Sequence, residues 1–276
     1  MRPSRYLNWD KHVVLKSWLC QPVYVVSYPA VTASNITISF KSFETTILNI
    51  NTMSSDISAL YKDMVPGNLA CLTALDFAQE SLPIPIVNHS LRVYLLARFI
   101  AKREESPFLS KGQISLLFVA AILHDIGASD AVNGPQRFEV CSADTAKHHL
   151  LKHGHSEAEA HQVWTAIAVH TSPGIAERID PLARLIRLGV LSDFGSDEYR
   201  RSIGVDSYCK EIEALLPRLE PEKALGDAVI KQADKIPQVD SVTWPNSDKF
   251  PAASWPGILL RAHAENPDHE GVNPAF

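Results

Sequence analysis

Apolar residues recur every three or four positions over most of the chain from about residue 61 onward. That interval is the period of an α-helix that packs by one face, so this region is predicted to be all-α. The clearest rows are His89, Val93, Leu96 and Ile100, then Ile114, Leu117, Phe118 and Ala121, and later Leu182, Leu185, Ile186 and Gly189. The second row runs on into His124 and Asp125, and the third reaches Asp193. Side chains that can ligate a metal therefore fall on apolar faces.

Capping and stop signals set the expected helix boundaries. A first helix is expected from Asn88, or a few residues earlier after Pro83 and Pro85. Four later helices are expected to begin at a capping box over 110–113, at Ser142 with a stop at Gly154, at a second capping box over 156–159, and at Asp180-Pro181. Two further helices are expected over 210–219 and 222–233.

The two ends of the chain lack this helical pattern. Residues 1–60 are rich in Val, Ile, Thr, Ser and Asn, which predicts an irregular or partly β appendage. A strand-like alternation is seen there at Ile36, Ile38 and Phe40. Residues 237–276 are rich in Pro, Trp and Asn, which predicts an irregular tail packed on the domain. The helical domain is therefore expected over residues 61–236.

The composition is that of an ordinary soluble protein and disfavours several kinds of partner. A net charge of −5 and a pI of about 6.1 give no basic surface for nucleic acid. The N-terminal apolar runs are too short to span a membrane. Four cysteines lie far apart without a Cys-x-x-Cys pair, which favours reduced thiols in the cytoplasm. The expected partner is a small-molecule substrate, and an exposed apolar helix face or the Trp-rich tail can support a homo-oligomer.

Four residues with ligating side chains lie on apolar faces: His89, His124, Asp125 and Asp193. Burying such groups unpaired costs a few kcal/mol each, a large share of the roughly 5–15 kcal/mol that stabilises a domain. Each can instead be a hydrogen-bonded core residue or a helix-end group, which is the commoner role of a single buried histidine. The succession of His, His-Asp and Asp on different helices favours one shared metal ion, because a single cation satisfies them all.

Five ordered segments resemble the HD-domain superfamily and, more narrowly, its cyanamide hydratase branch. The segments are Asn88-His89-Ser90-x-Arg92, Leu123-His124-Asp125-Ile126-Gly127, Arg137-Phe138-Glu139-Val140, Ile167-Ala168-x-His170-Thr171, and Gly189 with Asp193. A later Ser254-Trp255-Pro256 also matches this branch. The resemblance covers about residues 70–260. The His-Asp pair alone is a weak signal, whereas the ordered set is specific.

The resemblance implies an HD-domain helical bundle that holds one divalent metal ion, usually Zn²⁺, with His89, His124, Asp125 and Asp193 as ligands. The donor types also suit Fe or Mn. It further implies a hydro-lyase activity, in which water adds to the nitrile carbon of cyanamide to give urea. A metal ion can promote this addition by lowering the pKa of a water molecule.

Residues close to the motifs are candidates for narrower roles. His170 and Thr171 are candidates for substrate orientation or proton transfer, with a packing or ligand-orienting role as the alternative for His170. Glu139 is expected on the loop that enters the helix at 142, where a carboxylate is more often solvated. The remaining candidates for supporting the ligands or binding substrate are Asn88, Arg92 and Arg137.

Three other functions stay open. A nucleotide phosphohydrolase needs cationic groups around the phosphate, and the motifs carry few beyond Arg92 and Arg137. Resemblance to dinuclear HD proteins, which have a further His on each of the two corresponding helices, implies that His148 and His170 can form a second metal site, as in a di-iron oxygenase. Exposure of His148 in a His-rich region is the alternative. A non-catalytic scaffold or sensor has no need to keep all four ligands.

Overall fold

The computed structural model describes residues 64–235, 250–251, 253–269 and 273. Over these residues the fold contains eleven α-helices, two short 3₁₀ helices and no strand, which confirms the predicted all-α bundle. The predicted appendage at 1–60, including its strand-like segment, lies outside the described residues. None of the described helices is both long and apolar enough to cross a bilayer.

The helices follow one another with short connections. In chain order they are α1 (Leu69–Ser81), α2 (Ile84–Arg103), α3 (Ile114–Leu123), α4 (Phe138–Lys152), α5 (Glu157–Ala168), α6 (Ala176–Ile179), α7 (Pro181–Phe194), α8 (Asp197–Ser202), α9 (Asp206–Leu215), α10 (Pro221–Lys235) and α11 (Trp255–Glu265). The two 3₁₀ helices are Pro107–Leu109 and Ile126–Ala128.

Helices α2 and α3 form the centre of the described fold. Every residue of α3 from Ser115 to Leu123 is buried, as expected of a helix that is apolar all round. The α2 row that begins at His89 is buried throughout, as the sequence predicts. Helix α7 packs against α2 at Gly189, where an added Cβ would lie 2.7 Å from the carbonyl oxygen of Val93.

Two expected helix starts are wrong, and both errors have local causes. Helix α3 has no capping box at 110–113, because Ser110 ends the preceding 3₁₀ helix and Gln113 takes the N-cap position without a side-chain bond. Helix α4 begins four residues before the expected cap, since buried Phe138 already forms its first turn. The hydroxyl of Ser142 instead accepts a hydrogen bond from the Gly127 backbone N–H (2.8 Å).

Other boundaries agree with the sequence. The capping box of α5 is formed by Ser156 and Glu159, and Asp180 caps α7 ahead of Pro181. Gly154 follows α4 with a φ of +82°, a left-handed conformation that favours glycine and ends a helix. The helix expected at 210–219 is displaced toward the N-terminus, and α10 extends the one expected at 222–233 at both ends.

The prediction of an irregular C-terminal tail is wrong for residues 255–265, which form α11. The Ser254 hydroxyl accepts from the Gly257 N–H (3.2 Å), and Pro256 occupies the first turn, where a proline is tolerated. Trp255 lies against Phe138 with ring centroids 5.7 Å apart, and Leu259 is buried. The Pro, Trp and Asn content of the tail predicted irregular structure, although residues 255–265 form a capped amphipathic helix.

Candidate metal centre

Three buried side chains converge where α2 meets the end of α3. His89 lies in the second turn of α2, and His124 and Asp125 follow directly after α3. Their nearest ligating atoms all lie within 4.8 Å of one another, and each residue is at most 1% exposed. The Nε2 atoms of the two histidines are 3.2 Å apart, and Asp125 Oδ2 lies 3.1 Å from His124 Nε2. Within the described residues, this is the one such group of three.

The protonation of both imidazoles follows from their other ring nitrogen. His124 Nδ1 donates to the carbonyl oxygen of Ala121 (2.7 Å), which can only accept. His89 Nδ1 donates to Asp193 Oδ2 (2.6 Å). In the neutral tautomers both Nε2 atoms therefore carry lone pairs, and these face each other across the cluster. Opposed lone pairs at this distance need a cation between them.

Asp125 gives a direct test of whether a cation fits. Both of its carboxylate oxygens are buried, and neither accepts a hydrogen bond from the part of the chain that the structure describes. Burial raises the pKa of this carboxyl, but the neighbouring imidazoles of His124, His170 and His89 outweigh burial and hold the pKa well below its usual range. An ionised, buried carboxylate without donors is costly, and a metal ion removes that cost. The residues fit a divalent metal.

Burial and the neighbouring carboxylates also shift the pKa values of His124 and His89. Burial lowers the pKa of His124, but Asp125 beside it reverses the effect and raises the pKa above its ordinary value. For His89 burial prevails over the attraction of Asp193, and its pKa is lowered. The cluster thus attracts positive charge at His124 and Asp125, where a proton and a metal ion compete.

His170 is a third imidazole at this site. It follows α5 and is 2% exposed, and its Nδ1 donates to the carbonyl oxygen of Ile167 (2.7 Å). Its Nε2 lies 3.5 Å from Asp125 Oδ1, and its ring meets that of His124 edge-on at 5.0 Å. The structure therefore brings His170 to the cluster, with an unprotonated Nε2 in the neutral tautomer.

Asp193 lies behind His89, outside the group of three. The guanidinium of Arg92 binds both of its carboxylate oxygens, with Nε to Oδ1 at 2.7 Å and Nη2 to Oδ2 at 2.9 Å. Burial raises the pKa of Asp193, and the bonds from His89 and Arg92 overcome burial and lower it. A carboxylate that holds the far nitrogen of a ligating histidine fixes its ring and increases its basicity. The predicted ligand Asp193 is therefore in contact with His89 and Arg92 and is not one of the three grouped ligating residues.

Glu139 is fully buried in the first turn of α4, which corrects the expectation of a solvated loop carboxylate. Arg137 Nη2 donates to Glu139 Oε1 (3.1 Å), and the Thr171 hydroxyl donates to the same oxygen (2.6 Å). The Arg-x-Glu spacing was the sequence signal for this pair. Because its proton is committed to Glu139, the Thr171 oxygen can only accept a further hydrogen bond.

Two remaining candidates lie away from the cluster. Asn88 donates to the Pro217 carbonyl oxygen (2.9 Å) and so joins α2 to the connection before α10. His148 is exposed on α4, and the structure does not bring it to the other ligating groups.

One contact at the cluster was not expected from the sequence. Phe194 stacks on the ring of His89, with centroids 4.2 Å apart and planes inclined by 12°.

A cavity of about 520 Å³ opens from the cluster toward α10 and α11. His89, His124, Asp125, His170 and Thr171 lie at its polar end. Most of the other lining residues are apolar or glycine and come from α7, α10 and α11: Val190, Leu191, Phe194, Leu225, Gly226, Ile230, Trp255, Ile258 and Leu259. The Ser-Trp-Pro motif was the only signal in the sequence for this wall.

A buried His and His-Asp cluster within an all-α bundle defines a class of metal-binding helical domains. The sequence model of the HD domain matches residues 86–236, more than half of the chain, and the chain belongs to this family. HD-domain proteins bind divalent metals and are generally metal-dependent enzymes. No curated protein matches the chain.

Proposed function

We propose that this protein is a metal-dependent hydratase that adds water to a nitrile such as cyanamide, which would yield urea. The observation that supports this best is the charge around the cavity. The buried cluster of metal-ligating groups opens into it, and each Lys or Arg among the described lining residues is paired with a carboxylate. The lining contains Arg187, which pairs with Glu177 (3.3 Å), and Lys223, which pairs with Asp227 (2.6 Å). A phosphate needs cationic donors that are available to it, whereas a nitrile does not.

His89, His124 and Asp125 would hold the ion, and Asp193 would hold His89 in place. Imidazole and carboxylate donors suit Zn²⁺, with Fe or Mn as alternatives of similar donor preference. When bound, the ion supplies a Lewis acid that lowers the pKa of water toward neutrality. The remaining chemistry belongs to the residues that face the cavity.

His170 would move the proton. Its Nε2 can accept a hydrogen bond near Asp125 Oδ1, because Nδ1 is committed to Ile167. A water molecule between His170 and the cluster can pass a proton to this nitrogen as its oxygen bonds to the nitrile carbon. Protonated His170 then returns that proton to the nitrile nitrogen, so the addition consumes one water and releases no leaving group.

Thr171 would orient the substrate. Its hydroxyl proton is held by buried Glu139, so its oxygen accepts from an N–H group and does not donate. The amino group of cyanamide offers such a donor, and so does the nitrogen that gains a proton during hydration. Arg137 contributes indirectly by holding Glu139.

Urea release from cyanamide by the metal-loaded protein tests the proposal. We expect turnover with the wild type and its loss in His124→Ala, which removes one donor. Fully metal-loaded protein that hydrates no nitrile would contradict the proposal. Phosphate release from a panel of nucleotides would instead identify a phosphohydrolase, an activity typical of this family.

A further inference from the structure

The cavity beside the cluster is far larger than cyanamide, which has three non-hydrogen atoms. Its volume of about 520 Å³ lies within the range of pockets that enclose a drug-sized ligand, about 300–1,000 Å³. We propose that the substrate is a nitrile with an aryl or branched alkyl substituent and that the substituent occupies the apolar part of this cavity. This inference rests on the proposed hydration of a nitrile and names the class of nitrile.

The distribution of polarity within the cavity supports an apolar substituent. The polar groups that face the metal end are those of the cluster, with His170 and Thr171. Polar groups elsewhere on the described wall have partners: Glu222 binds Arg218, and His269 Nδ1 lies 3.2 Å from Asn273 Nδ2. The remaining lining residues are mostly aliphatic and aromatic side chains of α7, α10 and α11. Such a surface gains free energy by removing an apolar group from water.

Gly226 supports the same inference from the backbone. It lies within α10, is buried and lines the cavity, yet a Cβ added to it would meet no heavy atom of the described residues within 4 Å. At Gly127 the added Cβ would lie 2.1 Å from the Phe138 carbonyl oxygen, so that glycine is needed for close packing. Neither packing against the described part of the chain nor a left-handed φ requires a glycine at Gly226. A glycine inside a helix lowers stability relative to alanine, and what its missing side chain provides here is room.

The proposed reaction balances without a co-reactant. The oxygen of one water molecule bonds to the nitrile carbon and ends as the carbonyl oxygen. The C≡N triple bond becomes a single C–N bond in the tautomerised product, and both water hydrogens end on nitrogen. The product is the primary amide of the same substituent. Nothing is oxidised or reduced, and no group leaves.

A panel of cyanamide, benzonitrile and 2-naphthonitrile tests the inference in metal-loaded protein. We expect kcat/KM to rise from cyanamide to the aryl nitriles by about tenfold or more, because added apolar surface is bound by the cavity wall. Gly226→Leu places a side chain in that space and should lower the preference for 2-naphthonitrile over cyanamide by about tenfold. The matched control, Ala264→Leu, adds the same side chain at an exposed position of α11 and should keep the wild-type preference.

Binding of 2-naphthamide, the expected product, gives a readout that does not depend on turnover. Calorimetry on metal-free protein should detect binding to the wild type and Ala264→Leu, with affinity at least about tenfold weaker in Gly226→Leu. Urea production from cyanamide without naphthamide binding, or equal binding by all three proteins, would overturn the inference and leave the hydratase proposal intact. Naphthamide binding that Gly226→Leu weakens, without hydration of any nitrile, would overturn the proposed activity and with it the assignment of a nitrile as the substrate.

Discussion

The three site histidines are each held from behind by an oxygen atom that bonds to Nδ1. For His124 and His170 this oxygen is a backbone carbonyl in the preceding helical turn, and for His89 it is the carboxylate of Asp193. Backbone acceptors fix ring orientation without adding charge. The carboxylate also adds negative charge, so Asp193 is expected to increase the basicity of His89 as a donor once the ion is bound.

Substitution of Asp193 distinguishes a support from a ligand. If Asp193 only holds His89, Asp193→Asn should weaken metal binding by about 10- to 100-fold, whereas Asp125→Asn should cause a greater loss. Competition with a chelating dye measures both affinities, and thermal unfolding shows whether loss of the Arg92 partner destabilises the fold. Equal losses in the two variants would place Asp193 among the ligands, as the family resemblance implies.

Metal affinity should fall as the solution is acidified. The pKa of His124 is raised by Asp125, so a proton binds at His124 in the metal-free protein and must leave before the ion binds. Asp125 stays ionised because its pKa is lowered, and His89 resists protonation because burial lowers its own. Below the raised pKa of His124 the apparent affinity should fall about tenfold per pH unit, the slope for one proton. Titrations between about pH 8 and pH 6 measure this slope, and an affinity independent of pH would contradict the assignment.

Helices with local signals were predictable, and helices set by packing were not. The starts of α5 and α7 follow from Ser156 and Asp180, whose side chains cap the next turn. The start of α4 depends on burial of Phe138 against distant parts of the chain, which the local pattern does not show. Helix α11 was missed because Pro and Trp suggested a loop, although Pro256 lies in the first turn where it is tolerated.

Two helical glycines should respond oppositely to the same substitution. Gly189→Ala puts a Cβ 2.7 Å from the Val93 carbonyl oxygen, so α7 must move from α2 at a cost of about 1–3 kcal/mol. The Cβ of Gly226→Ala meets no heavy atom within 4 Å among the residues that the structure describes, so this substitution should stabilise the fold by up to about 1 kcal/mol through helix propensity. Urea unfolding measures both changes. A stabilised Gly189→Ala would show that the contact between the helices is not tight.

At the scale of the whole molecule, the site joins segments far apart in sequence. Spacing on apolar faces was enough to group His89, His124 and Asp125, because each lies on a buried row. The spacing did not show whether Asp193 binds the ion or another residue. Its role depends on whether its carboxylate oxygens bind Arg92, as in the structure, or the ion. The apolar wall from α10 and α11 arises from contacts over more than a hundred residues, beyond what local patterns encode.

The number of divalent metal ions per chain tests the central claim most directly. Elemental analysis of protein loaded with Zn²⁺ and then freed of excess metal should find one ion per chain in the wild type. His124→Ala, which removes a donor from the cluster, should retain far less, while Ala264→Leu should match the wild type. A wild-type protein that retains no metal, or a His124→Ala variant that retains as much as the wild type, would contradict the account.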